Sequence, residues 1–309
     1  MEIIGVDNGY GYTKTVSTEF VTSLTPYGTV KPSMKDKVVF YEGQYYIVGG
    51  DRKKVITDKT TDEDTFILTL AGIGEELKRR NLTSADIILS VGLPLDRCSG
   101  QTRVDFKEYF QKHKSVNFEY EDIMYHVNIK DVMVSAQCVA GIIDLLSQNT
   151  IACPSIVVDI GSWTMDVLPI MKGENGMPKP QPAKVLSINN GVIKCMVNCN
   201  KEIRRVTGQD VDESQIQEVM RGNFDALPPK YSAIVQKVTA EYVKSIKDTL
   251  IENGFNIETM PVIFMGGGAI VTLQYGGEDL FYGSKYITNL RANAIGYERI
   301  AKQQFKNNQ

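Results

Sequence analysis

The 309 residues carry 34 Lys and Arg against 37 Asp and Glu, a net charge of −3, and are 42% apolar and 23% charged. This composition supports a packed core rather than a disordered chain, and the length allows two domains. Without a basic excess, a protein that neutralises many duplex phosphates is disfavoured. No apolar run approaches the ~18 residues of a membrane span, and the opening "MEIIGVDNG" lacks the basic-then-apolar pattern of a signal peptide. The five cysteines, Cys98, Cys138, Cys153, Cys195 and Cys199, form no C-x-x-C pair. They read as free thiols of a cytoplasmic protein. His113 and His126 lie near no cysteine pair, which argues against zinc.

In chain order, "MEIIGVDNGYGYTKTVS" reads as strand, Gly-rich turn and strand. The Tyr-, Gly- and Lys-rich segment from about 20 to 65 alternates apolar and polar residues, as in "VVFYEGQYYIV", and predicts a small inserted antiparallel sheet. "TFILTLAGIGEELKRRN" has helical spacing and a basic last turn. "ADIILSVGLPL" is a buried strand stopped by Gly92 and Pro94, and "SAQCVAGIIDLLSQ" predicts an amphipathic helix capped by Ser135. After Pro154 comes a second strand–turn–strand, "IVVDIGSWTMDVLPI", and then the Gly/Pro loop 174–182. Helices are expected over 191–207 (ended by Gly208), 212–221 and 229–253 (ended by Gly254). "MPVIFMGGGAI" is a strand running into three glycines. A closing helix carries Leu290, Ala294, Tyr297 and Ala301 along one stripe.

"IIGVDNGYGYTKTV" and "IVVDIGSWTMDVLPI" share one plan: apolar strand, Asp, one residue, Gly, a turn containing Thr, strand. They begin one domain length apart, at Ile3 and Ile156, which suggests two halves of like architecture rather than a solenoid. Glycine lets backbone N–H groups close around an anion. A carboxylate beside phosphate oxygens repels them unless a divalent cation intervenes. Asp7 and Asp159 facing one another across a cleft would therefore suit hydrated magnesium. Lys14 could neutralise phosphate charge, with Thr13, Ser162 and Thr164 donating hydroxyls. Gly266, Gly267 and Gly268 before a helix offer a further anion or nucleotide site. Each motif alone is as well explained by turn conformation; their order along the chain carries the reading.

That order resembles the actin, sugar-kinase and heat-shock-chaperone ATPase superfamily. "VDNGYGYTK" is similar to its first phosphate motif, "VVDIGSWTMD" to its second (D-x-G-x-x-T-x-D) and "VIFMGGGAI" to its adenosine motif. The opening, "VGLPL" and the closing "ANAIGYERIAK" are most similar to plasmid-segregation actins of the ParM type. The resemblance implies an α/β fold of two ribonuclease-H-like, actin-like halves with a nucleotide cleft between them. Domain I would span 1–150, with an inserted subdomain at about 20–70 and closure by a helix at 288–306. Domain II would span 151–287, with a helical subdomain at about 205–255.

By position, the resemblance assigns Asp7, Asn8, Gly9, Tyr10, Gly11, Tyr12, Thr13 and Lys14 to the first phosphate hairpin. Asp159, Gly161, Ser162, Trp163 and Thr164 form the second. Gly266, Gly267, Gly268 and Ala269 lie at the adenosine. Asp7 and Asp159 would serve the magnesium, and Asp159 and Gln137 the attacking water. Glu202 and Arg205 are base or ribose candidates, although a charged pair three apart on a helix is more often a solvated salt bridge. Asp166 is expected to be structural. Trp163 departs from the family's small residue or Thr, and is expected to pack on Tyr10 or Tyr12, shape the γ-phosphate space, or face the core.

The implied function is a filament-forming ATPase, with GTP left open, that uses Mg2+ and ATP/ADP. It would drive plasmid DNA segregation through self-assembly and a small DNA-binding adaptor on a centromere-like site, with no membrane and no direct nucleic-acid contact. A small-molecule kinase of the superfamily is the alternative, with Asp96 available as a base, although the insertions are short for a sugar pocket. A chaperone would need a peptide-binding domain for which the chain is expected to be too short. A shape-determining actin homologue would usually show an amphipathic N-terminus.

Overall fold

The computed structural model describes residues 1–34, 36–50, 62–281 and 283–307. The part of the expected inserted subdomain at 51–61 lies outside the described residues. The chain divides into two compact units, Met1–Asp144 with Arg291–Gln309, and Leu145–Leu290.

The first unit is built on a nine-stranded sheet. Its spine is β1 (Glu2–Asn8), parallel to β7 (Ser84–Leu93), which is parallel in turn to β9 (Ile123–Ala136). β1 and β7 are buried on both faces over most of their length, which is why they read as continuous apolar runs, whereas β9 alternates buried with exposed or half-buried residues up to Asp131. On one side β1 pairs antiparallel with β2 (Tyr12–Lys14), and β2 with β3 (Glu19–Val21). On the other, β8 (Ser115–Tyr120), β5 (Val38–Tyr41), β6 (Gln44–Val48) and β4 (Leu24–Gly28) extend the same sheet. The 20–65 segment is thus not a separate small sheet. Val39 pairs with Tyr120, joining the ladders, and alternation in sequence reveals a strand without revealing its partner.

Helix α1 (Glu63–Arg79) starts at Asp62, whose carboxylate accepts the Asp64 N–H. It buries Phe66, Ile67, Leu70, Ile73 and Leu77. Helix α2 (Gly100–Gln111) packs on β9. The helix expected over 135–148 is largely absent: β9 continues through Ser135, and a 3₁₀ turn, Ala140–Ile142, leads into the short α3 (Ile143–Ser147). Pairing of Gly92 with Ser135 and Leu93 with Ala136 holds that segment extended, so tertiary pairing overrides local helical spacing. The unit is closed by α9 (Ala292–Asn307), which packs on β1 and β7 with Ala294, Tyr297 and Ala301 fully buried.

The second unit repeats the plan. Strand β10 (Ser155–Ile160) pairs antiparallel with β11 (Met165–Lys172) and parallel with β14 (Val262–Met265). Strands β12 (Pro178–Pro180) and β13 (Leu186–Ile188) both pair with β11, and β15 (Lys285–Tyr286) lies beyond β14. Helices α4 (Val192–Thr207), α5 (Glu213–Met220) and α6 (Pro229–Glu252) bury one apolar side each, among them Cys195, Cys199, Val219, Val243 and Ile246. Gly208 ends α4 in the left-handed conformation. Helices α7 (Gly267–Tyr275) and α8 (Gly277–Leu280) follow β14. Among the described residues, no helix is long and apolar enough to cross a membrane.

Candidate functional site

In the first unit, Asp7 lies one residue before the end of β1, opposite Lys14 of β2. The turn between them is tight: the Gly9 N–H reaches the carbonyls of Asp7 at 3.0 Å and Tyr12 at 3.1 Å. The Asp7 side chain is buried, 3% exposed, yet meets polar groups on both oxygens. Gln137 Nε2 donates to Oδ1 at 2.9 Å, the Tyr297 hydroxyl lies 3.4 Å from the same oxygen, and Lys14 Nζ stands 3.9 Å from Oδ2. Gln137, which follows β9 rather than starting a helix, is thereby brought to Asp7 from 130 residues away.

Other hairpin residues are occupied in building the turn. Asn8 Nδ2 donates to Thr69 Oγ1 of α1, the Thr13 and Thr22 hydroxyls lie 3.1 Å apart, and Thr22 Oγ1 donates to the Gly9 carbonyl. The far end of the hairpin is held by Glu76 of α1. Its Oε1 accepts the Thr15 hydroxyl at 2.7 Å, the Ser17 hydroxyl at 2.6 Å and the Ser17 N–H at 2.9 Å. Burial alone would raise this carboxyl. The hydrogen bonds from Ser17, Thr15 and Arg79 outweigh it and bring the pKa down to about 2.

In the second unit, Asp159 near the end of β10 is buried and stands opposite Asp166 of β11. Thr164 Oγ1 donates to Asp166 Oδ2 at 3.4 Å. The turn Gly161–Thr164 is fastened to the start of α4: the N–H groups of Gly191, Val192 and Ile193 donate to the carbonyls of Trp163, Gly161 and Ser162 at 3.0, 3.0 and 2.9 Å. These donors are among those a helix start leaves without intrahelical partners. Trp163 does not face the core; it is 41% exposed.

The glycines after β14 come to the same end of the sheet, because Met265 pairs with Asp159. Gly266 has φ +77°, and a Cβ there would collide with Asp159 Oδ1. A Cβ on Gly267 would meet nothing within 4 Å. The nine-residue α7 therefore begins with open space at its first residue, as a helix N-terminus behind a glycine turn needs to receive an anion, although the Asp159 carboxylate beside Gly266 repels one that no cation screens. Gly268 and Ala269 are buried under that turn. Glu202 and Arg205 pair with each other on α4, at 2.6 and 2.8 Å, and Arg205 is exposed; its guanidinium holds the Glu202 carboxyl below its usual range. Asp96 is exposed and its nearest cation is Arg97 at 3.9 Å.

Taken in its own unit, each strand-end aspartate is a buried carboxylate beside a glycine turn, an oxygen donor of the kind magnesium takes singly while water and phosphate complete its shell. Sequence reasoning placed Tyr297 only in an apolar stripe and did not single out Asn293 or Glu76. Nothing local in "NLRANAIGYERIAK" signals that its tyrosine hydroxyl reaches Asp7.

A sequence model described as the actin-like proteins N-terminal domain matches residues 5–139. A second, the C-terminal domain of archaeal MreB-like actin homologues, matches residues 157–274. No curated protein sequence matches. Among solved structures, the archaeal actin homologue Ta0583 superposes with a TM-score of 0.76 at 23% identity, covering 98% of this chain and 100% of its own. A ParM from a 15-stranded filament of Clostridium botulinum gives 0.72 at 14% identity over 98% and 100% of the two chains. Bacillus thuringiensis ParM bound to AMPPNP gives 0.71 at 13% identity over 99% of each. At these identities the structural likeness is one of fold. The two sequence models account for both halves of that fold, and the chain belongs to the actin-like proteins.

Proposed function

We propose that this chain is a magnesium-dependent ATPase that polymerises, and that its filaments move plasmid DNA through a small DNA-binding adaptor. The observation that carries the reading is the repeated strand-end aspartate. Asp7, opposite Lys14, and Asp159, opposite Asp166, each stand at the head of a glycine turn, and Asp7 already holds Gln137. A nucleotide's phosphates take the backbone of both turns and Lys14, and its adenosine lies against Gly266 and Gly267. Asp7 and Asp159 would hold magnesium, which when bound would supply positive charge against the phosphates. Gln137 and Asp159 orient and deprotonate the attacking water; phosphoryl transfer asks the protein mainly for positioning and charge stabilisation. Hydrolysis removes the γ-phosphate's contacts and so weakens the polymerising state. The nucleotide complex of one fold relative and the filament of another support this assignment.

Light scattering after addition of Mg2+ with ATP or GTP, with phosphate release followed in parallel, tests it. Scatter that rises and then decays as phosphate appears is the expected result. Turnover only when a sugar is supplied would overturn it in favour of a kinase.

A further inference from the structure

Gln137 is aimed by an unusual piece of backbone. The Val139 N–H donates to the Gln137 carbonyl at 2.7 Å, closing a three-residue turn centred on Cys138. Cys138 has φ +62° and is fully buried. A γ-turn with positive φ at its centre is rare and strained, and a non-glycine residue holds it only where the surroundings over-determine it. Those surroundings are visible. The Gln137 N–H is fixed to the Leu93 carbonyl at 2.9 Å, and the Cys138 N–H donates to Asn293 Oδ1 at 3.2 Å.

Asn293 lies in the first turn of α9, and Tyr297 lies four residues on, where a helix brings side chains to the same face. Tyr297 is fully buried, and its hydroxyl reaches the Asp7 oxygen that Gln137 also contacts. Its own carbonyl accepts the Ser90 hydroxyl at 2.9 Å. The ring fits because position 92 is glycine: a Cβ there would fall on the Tyr297 hydroxyl. One helix face thus meets both ends of the Gln137–Asp7 hydrogen bond, the backbone behind the glutamine and the carboxylate in front of it.

We propose that Asn293 and Tyr297 are positioning residues of the hydrolytic site, Asn293 holding the strained turn that aims Gln137 and Tyr297 fixing the Asp7 carboxylate that receives it. The proposal rests on nucleotide hydrolysis at Asp7, Gln137 and Asp159. A side chain that merely stabilises the fold would affect turnover equally whatever stands at 137. A residue acting through Gln137 loses its effect once Gln137 is gone, because coupled residues are not additive.

The experiment is a cycle of Asn293→Ala and Gln137→Ala in the full chain, measuring single-turnover phosphate release and the Kd of ATP. Asn293→Ala is expected to slow release about tenfold, the scale of losing one hydrogen bond in a buried network, with ATP Kd changed less than about twofold. It should slow Gln137→Ala no further, and Asn293→Asp, which still accepts the N–H, should restore the rate. Tyr297→Phe should reproduce the loss in the wild-type background. Cys138→Gly, which frees the turn without touching α9, gives the same loss and serves if Asn293→Ala fails to fold. Equal slowing in both backgrounds, or slowing matched by weaker ATP binding, overturns the proposal. If the wild type itself releases no phosphate and Asp159→Ala changes nothing, the ATPase reading fails and takes this one with it; normal wild-type turnover with an inert Asn293→Ala defeats the positioning role alone.

Discussion

Asp159 and Asp166 stand directly opposite each other in the β10–β11 ladder, and both are buried. Opposed residues of an antiparallel pair project to the same face, and like charges there destabilise the sheet. At the same position of the first unit the partner of Asp7 is Lys14. The second hairpin therefore sets two acidic side chains side by side where the first sets an acid opposite a base, as expected of a surface that meets a cation. Asp159→Asn should raise the melting temperature, by an amount equivalent to up to about 1 kcal/mol, while slowing phosphate release at least about a hundredfold. Thermal denaturation and phosphate assays on one preparation check both. Lower stability with normal turnover would make Asp159 a structural residue.

Glu76 makes the first hairpin sensitive to acid. Its carboxylate is wholly buried and receives three hydrogen bonds from Thr15 and Ser17, while Arg80 links it onward to Glu2 and Glu298. With a pKa near 2 in the folded chain against 4.5 for the ordinary group, the depressed value means stability is fully present above about pH 5 and is lost as pH falls toward 2. The full difference is on the order of 3 kcal/mol. Glu76→Gln should remove most of that loss and lower stability at neutral pH, as denaturant melts at pH 7 and pH 3.5 would reveal. Parallel pH dependence in the two proteins would show that Glu76 does not govern acid sensitivity.

The two hairpins were legible because their chemistry is local: an aspartate ending an apolar run and glycine within two residues are a turn signal whatever the rest of the chain does. The β8–β9 hairpin gave no such signal. Its turn residues, Glu121 and Asp122, both adopt positive φ, at 49° and 66°, a conformation that usually selects Asn or Gly. The helix expected from Ser135 failed for a different reason, since the strand carrying Val132 and Val134 runs on through Ala136 and its pairing with β7 outweighs the helical spacing downstream. Asn293 and Tyr297 were illegible as site residues because their partners, Cys138 and Asp7, are 155 and 290 residues away. Only the folded chain reveals that the apolar stripe of α9 carries two polar atoms to a buried carboxylate and its glutamine.

Gly266→Ala isolates the contribution of the third motif. The φ of +77° disfavours any side chain, and the new Cβ would displace Asp159 Oδ1 and the Ile160 carbonyl. The left-handed backbone and the overlap together should cost at least about 2 kcal/mol. Because the displaced atom belongs to Asp159, turnover should fall further than nucleotide affinity. Gly267→Ala is the control: its Cβ enters open space, so stability should hold within about 1 kcal/mol while a nucleotide lying close against the backbone is excluded. Calorimetry with ATP on the two variants separates these outcomes, and unchanged affinity in Gly267→Ala would remove the glycines from the nucleotide site.

Trp163 supplies a direct optical test of the second hairpin. It is the chain's only tryptophan, so its emission reports one position. The indole is 41% exposed, and its residue is tied to α4 through its own carbonyl, which accepts the Gly191 N–H. The backbone is therefore fixed while the ring meets solvent. A phosphate chain arriving at Gly161–Thr164 must displace water from beside that ring, so emission should shift to shorter wavelength and saturate with nucleotide. Trp163→Phe, which removes the signal, should leave melting temperature nearly unchanged, because exposed positions away from special features tolerate substitution within about 0.5 kcal/mol. Emission indifferent to saturating Mg2+ and ATP, in a protein that binds ATP by calorimetry, would place the phosphates away from this turn.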